Sequence, residues 1–265
     1  MAGQMLARRL RRAGVLGLSA AVMWLAAAQA ASAQSGTIDQ AVIGETNQKT
    51  PEISTQDIRR ILADGSAIVL DSRKRSEYVA GHIAGAQNVA AEPGTPQATY
   101  AAAVEHLVGG DKSKALVLYC NGPHCQASRQ LSDQLVAAGF TNVRRYQLGI
   151  PMWRALSGPV EIEAEGVARI FGVDRTAVLF DARDPEAFAI GTLPGAHNVP
   201  VDKAGAGALE KAPLPRDDFN NRIILFGRDA AQARRLADLI GKTPYQNVSY
   251  FPGTFEALRA AVGPK

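Results

Sequence analysis

The sequence predicts an α/β chain of two tandem domains, each a parallel sheet flanked by helices, and three observations lead there. The chain repeats at an offset of 110: Leu70-Asp71-Ser72-Arg73 returns as Phe180-Asp181-Ala182-Arg183, and Gly81-His82-Ile83-Ala84-Gly85-Ala86-Gln87-Asn88-Val89 returns as Gly191-Thr192-Leu193-Pro194-Gly195-Ala196-His197-Asn198-Val199. Short apolar runs such as Leu116-Val117-Leu118-Tyr119 and Ile223-Ile224-Leu225-Phe226 alternate with helical stripes, the pattern of strands covered on both faces. Without its leader the chain has roughly 230 residues, room for two ordinary domains.

The elements follow in order. Residues 1–33 read as a secretory signal peptide: Arg8, Arg9, Arg11 and Arg12 precede an apolar run, and Ala31-Ser32-Ala33 supplies small residues for cleavage. An uncleaved anchor is the alternative, although the run is interrupted by Gly14, Gly17 and Ser19. The expected location is periplasmic or secreted, with no membrane attachment after cleavage. Four of the 29 basic residues lie in this segment and none of the 25 acids does, so the remainder carries 25 of each. The balanced charge argues against nucleic acid as a partner.

Residues 34–50 are polar and aperiodic and read as a flexible leader. A first domain over 51–157 begins with Ser54 and Asp57 as a helix start and Asp64-Gly65 as its stop. Strands are expected over 67–70, 88–89, 115–119 and 143–146. Helices are expected around 76–79, over 98–108 and 127–138, and through Trp153 and Leu156. Ser157-Gly158-Pro159 opens an acidic linker into a second domain over 158–265. There a helix at 166–171, strands at 177–180, 223–226 and 248–251, and a helix at 230–240 repeat the plan. The Gly/Ala/Pro-rich stretch between Asp202 and Asn221 reads as loop with at most a short helix.

The chemistry concentrates where the copies differ: after the shared strand the first continues into Cys120 and the second into Gly227. A cysteine at the carboxyl end of a parallel strand stands where α/β sheets bind ligands. The loop Asn121-Gly122-Pro123-His124-Cys125 then curls around its sulfur before a helix begins at Gln126. Such a curled loop turns its backbone N–H groups inward, and with the helix N-terminus they favour thiolate over thiol at Cys120.

Asp71-Ser72-Arg73, Glu77-Tyr78, Gly81 through Asn88 and the Cys120 loop together resemble a rhodanese domain, and the second copy resembles one without its cysteine. The resemblance implies a sulfurtransferase: Cys120 takes sulfane sulfur from a donor such as thiosulfate or a persulfide, and passes it to an acceptor such as a thiol or cyanide. It also implies that the backbone N–H groups of Asn121, Gly122, His124, Cys125 and Gln126 cradle the anion, with Pro123 offering none. No cofactor is expected, and the four histidines and two adjacent cysteines form no evident metal spacing. Tandem members of the family usually keep the cysteine in the second copy, whereas here it is in the first. No Arg or Lys lies between Cys120 and Gln126, which leaves a dianionic thiosulfate without a fixed counter-charge.

Cys125 reads first as a helix-start residue whose N–H matters, so that a Cys120 persulfide persists. As a resolving thiol it would give the pair redox character, the alternative function, alongside a non-catalytic binding module. A phosphatase or arsenate reductase is less favoured, since Gln126 stands where those enzymes need Arg. Asp71 with Arg73, and Asp181 with Arg183, read as structural pairs, and Arg73 with Glu77 as a helical i,i+4 pair. Arg144-Arg145 and Arg234-Arg235 read as surface. The cysteine-less copy is expected to pack against the first or to dock a protein partner.

Overall fold

The computed structural model of the chain describes residues 47–90, 97–156, 158–174, 176–204, 207, 209–210 and 212–263. The signal peptide and nearly all of the expected leader lie outside the described residues. At the leader's end, Thr50 is already buried, its hydroxyl 3.4 Å from that of Ser132, so the fold begins slightly before residue 51.

Helix α1 (Thr55–Asp64) starts in a reciprocal capping box: Ser54 accepts from the Asp57 amide while the Asp57 carboxylate accepts from that of Ser54. Gly65 ends it at φ 66°, a left-handed conformation that favours glycine. The chain continues through β1 (Ile68–Asp71), α2 (Arg75–Val79), β2 (His82–Ile83), β3 (Gln87–Asn88), α3 (Gln97–Leu107), β4 (Leu116–Tyr119), α4 (Gln126–Ala137), β5 (Val143–Tyr146) and α5 (Gly149–Ala155). Four of these strands form a parallel sheet in the order β3-β1-β4-β5. Because successive side chains of a strand face opposite sides, Val117 and Tyr119 of β4 join one apolar cluster with Ile58 and Trp153. Leu116 and Leu118 join another with Val104 and Leu135. Burying each such aliphatic side chain is worth about 1.5–3 kcal/mol, which holds the central strand in place.

The second copy comprises β6 (Val160–Glu161), α6 (Ala164–Val173), β7 (Val178–Asp181), α7 (Pro185–Ile190), β8 (His197–Asn198), α8 (Val201–Ala204), β9 (Ile223–Phe226), α9 (Ala230–Ile240), β10 (Val248–Tyr250) and α10 (Phe255–Val262). Its sheet runs β2-β6-β10-β9-β7-β8. Here the structure departs from the expected plan. The acidic linker is strand β6, and the first copy's turn supplies β2, antiparallel to it through His82↔Glu161 and Ile83↔Val160. Two-residue strands carry too little periodicity to stand out in sequence, and their pairing depends on long-range register.

Glu161 locks this junction. It accepts from Tyr250 at 2.9 Å and from the Gly85 amide at 3.2 Å, and its carboxylate lies 3.4 Å from His82 Nε2. Burial would raise its pKa, but the bonds from His82, Tyr250 and Gly85 outweigh this and hold it below the usual value. Among the described residues, no helix is long and apolar enough to cross a membrane.

Candidate active site

Cys120 lies directly beyond β4 and is 2% exposed. The backbone on either side of it is gripped by neighbouring loops. The carbonyl of Tyr119 accepts from the Ser72 amide at 3.1 Å and from the Ser72 hydroxyl at 2.7 Å, and the carbonyl of Cys120 accepts from the Ile150 amide at 3.0 Å. Gly149, at φ 66°, makes the second contact feasible: a Cβ there would stand 2.6 Å from the Gly122 nitrogen and collide with the Cys120 carbonyl. Gln147, buried behind the loop, donates to the Pro123 carbonyl at 3.3 Å.

The loop differs from the expected cradle in two respects. The Cys125 amide donates to the Gly122 carbonyl at 3.0 Å, closing a tight turn, so it is engaged inside the loop. Asn121, Gly122, His124 and Gln126 are left as the candidate donors to an anion. The Cys125 side chain, at the N-cap of α4, makes no capping bond. It turns back instead and joins Cys120 in a disulfide, with the Cα atoms 6.1 Å apart. The Cys125 side chain thus points to Cys120 rather than into the helix. His124 is exposed on the loop, and Gln126 opens the twelve-residue α4, whose N-terminal end favours negative charge.

Asp71 anchors the loop from below. Arg73 donates to its carboxylate through Nε at 3.0 Å and Nη2 at 2.6 Å, and its backbone amide adds a bond at 2.9 Å. The same guanidinium reaches the Gly81 carbonyl at 2.8 Å. Tyr119 donates to Asp71 at 2.6 Å and accepts from the Ile83 amide at 3.0 Å. Burial, and then the Asp71 charge, push the Tyr119 phenol well above its ordinary pKa, so it stays a donor. Asp181 and Arg183 repeat the arrangement, with Arg183 Nη2 2.7 Å from Asp181 and 2.7 Å from the Gly191 carbonyl.

The expected Arg73–Glu77 pair does not form. Helix α2 begins only at Arg75, so Arg73 is not on its surface, and Glu77 accepts from the Asn121 side chain at 2.6 Å. A carboxylate therefore stands at the rim of the Cys120 loop. Arg145 is also corrected: it is 1% exposed, because residues 51–53 pair along β5 and cover it.

In the second copy the corresponding place is filled. The Gln232 side chain accepts from the Arg228 amide at 2.9 Å and donates to Asp202 at 2.7 Å, and Asp202 also lies 2.9 Å from Arg228 and 2.5 Å from Arg235. Asp202 faces both cations, while Asp229 caps α9 and lies 3.3 Å from Arg228. Two cavities of about 300 and 400 Å³ share Leu62, Ala84 and Arg234 as lining, and no Cys120-loop residue lines either.

Sequence reasoning gave Ser72 no role beyond the family motif, paired Glu77 with Arg73 rather than with Asn121, and did not single out Gly149. A signal for Ser72 was present: its counterpart in the repeat is Ala182, and it changes together with Cys120 and Gly227.

A buried cysteine at the end of a parallel strand, followed by a tight loop and a helix N-terminus, sets the first copy apart within this α/β chain. The model of the Rhodanese-like domain matches the chain twice, over 54–156 and 165–261, and the chain belongs to the rhodanese family. A human thiosulfate:glutathione sulfurtransferase is 32% identical over 113 residues, 39% of this chain and 92% of that protein. A Schizosaccharomyces pombe protein, provisionally named a mitochondrial thiosulfate sulfurtransferase, is 23% identical over 94 residues, 31% of this chain, and the match spans 63% of its length. The solution structure of a rhodanese-like domain from Anabaena is 28% identical, covering 42% of this chain and 79% of that one with a TM-score of 0.35.

Proposed function

We propose that this rhodanese-family sulfurtransferase carries sulfane sulfur as a Cys120 persulfide, taken from thiosulfate or a persulfide and delivered to a thiol or cyanide. The observation that carries the reading is the strand-end thiol, gripped through Ser72 and Ile150 in one copy and replaced by glycine in the other. With the bond to Cys125 opened, the Cys120 thiolate attacks the outer sulfur of the donor. For thiosulfate the products are the persulfide anion and sulfite, and charge balances without a cofactor. The amides of the loop and the α4 N-terminus then face the terminal sulfur of the persulfide.

Glu77 at the rim and the lack of a basic residue between Cys120 and Gln126 favour a less charged persulfide donor over dianionic thiosulfate. Export forms part of the proposal and rests on the arginine-led apolar segment at residues 1–33. The second copy, whose loop is filled by its own side chains, serves packing and the docking of a partner. The test is sulfur transfer to cyanide by the pre-reduced protein. Cys120→Ser should lose all measurable transfer, at least about a hundredfold, with an unchanged circular dichroism spectrum. Retained activity in that variant would overturn the assignment of the nucleophile.

A further inference from the structure

The sulfurs of Cys120 and Cys125 meet in this structure, which a helix-start role for Cys125 does not require. A helix N-cap normally turns its side chain onto the first amides of the helix, and Cys125 leaves them uncapped. Its amide is engaged by Gly122, which fixes the turn that delivers its sulfur to Cys120. Cys120 itself is almost completely buried, so a thiol from solution has poor access to the inner sulfur of a Cys120 persulfide. Cys125 reaches that sulfur from inside the loop.

Resting on the Cys120 persulfide proposed above, we infer that Cys125 is a resolving thiol and gives the protein a second activity, the reductive release of sulfane sulfur as hydrosulfide. The step balances. The Cys125 sulfur attacks the inner sulfur of the persulfide anion, and a Cys120–Cys125 bond forms as the bond from Cys120 to the terminal sulfur breaks. The terminal sulfur leaves with the bonding pair and takes the thiol proton of Cys125, departing as HS⁻. Over loading and release together, the two cysteine sulfurs are each oxidised by one electron, and the sulfane sulfur is reduced by two. The disulfide seen here is then the product state of the cycle. It returns to the dithiol by exchange with an external protein dithiol, which ends as a disulfide itself. Cyanide or a small thiol acting on the terminal sulfur competes with this internal step, so partner chemistry decides between transfer and release.

A single turnover without reductant tests the inference. The pre-reduced protein is loaded with one equivalent of thiosulfate, or with glutathione persulfide where thiosulfate fails to load, and is desalted at once. Sulfide is then assayed and the intact mass measured. The wild type should release about one sulfide per chain and end two hydrogens lighter than the reduced protein, while Cys125→Ser keeps one added sulfur and releases almost none. Wild-type protein that retains the added sulfur as fully as Cys125→Ser, without releasing sulfide, overturns the inference and leaves the persulfide reading intact. Neither added sulfur nor sulfide in either protein overturns the persulfide reading, and the inference with it. The wild-type result decides the matter even if the variant fails to fold, because sulfide and disulfide must appear together.

Discussion

The ends of β4 and β9 occupy the same place in two copies of one fold, and they have been built for opposite purposes. Both copies keep the frame. Asp71 and Arg73 match Asp181 and Arg183, and Asn88, like Asn198, donates to the carbonyls of its own Asp and Arg at 2.8–3.1 Å. What differs surrounds the strand end: Ser72 becomes Ala182, Glu77 becomes Ala187, Tyr119 becomes Phe226 and Cys120 becomes Gly227. The frame compensates locally. Where Phe226 offers no hydroxyl to Asp181, Thr192 donates to it at 2.8 Å. The lesson is that the buried Asp–Arg pair belongs to the fold, because leaving either charge unpaired costs several kcal/mol wherever it occurs. The thiol and its grips are present in one copy alone, and the fold of the other stands without them.

The sharpest way to break this comparison is to move the thiol. In a Cys120→Ser background, Gly227→Cys should leave sulfur transfer below about one per cent of wild type. A Cβ at residue 227 would stand 2.9 Å from Gln232 Oε1, and Asp202 already neutralises Arg228 and Arg235. Recovery of transfer in the cyanide assay would show that the second loop is a competent cradle lacking only its sulfur.

A smaller effect is expected at the rim. Glu77→Gln keeps a hydrogen-bonding partner for Asn121 and removes the charge. With thiosulfate, kcat/KM should rise about fivefold at low salt, the equivalent of about 1 kcal/mol of relieved repulsion, and the gain should shrink as salt is added. A neutral persulfide donor should respond much less. Equal gains with both donors would place the effect of Glu77 in loop packing rather than charge.

The smallest change makes the first copy resemble the second at one grip. Ser72→Ala removes the hydroxyl bond to the Tyr119 carbonyl but keeps the Ser72 amide on it, as Ala182 does for Phe226 at 2.8 Å. Urea unfolding should show a loss of about 0.5–1.5 kcal/mol. A loss of several kcal/mol would mean that this hydroxyl supports far more than one carbonyl.

Much of the fold was legible in the chain. Strands 223–226 and 143–146 and helix 230–240 emerge with the bounds read from the sequence; for strand 223–226 and helix 230–240 an apolar run and an apolar stripe with a clear stop leave little choice. Helices α7 and α10 were not read. α7 is short and starts on Pro185, and α10 follows the cap at Thr254, a modest signal next to a chain terminus. Cys120 was legible because the repeat supplies its own control in Gly227. The contact of Asn121 with Glu77 was not, since the two lie 44 positions apart and join through side chains alone.

The sequence by itself determined the duplicated α/β plan, the buried Asp–Arg frame and the position of the single strand-end thiol. Each follows from local periodicity or from comparing a residue with its own repeat. Only the tertiary structure decided that β2 crosses into the second sheet, that Asp202 closes the second loop and that Ser72 and Ile150 grip the backbone at Cys120. It also decided which way Cys125 points. A Cys-x4-Cys spacing permits a sulfur aimed at the helix or at its neighbour. The choice fell to the Gly122 turn, held by Gly149 and Gln147 from a loop more than twenty residues away, and a contact of that kind leaves no period in the sequence.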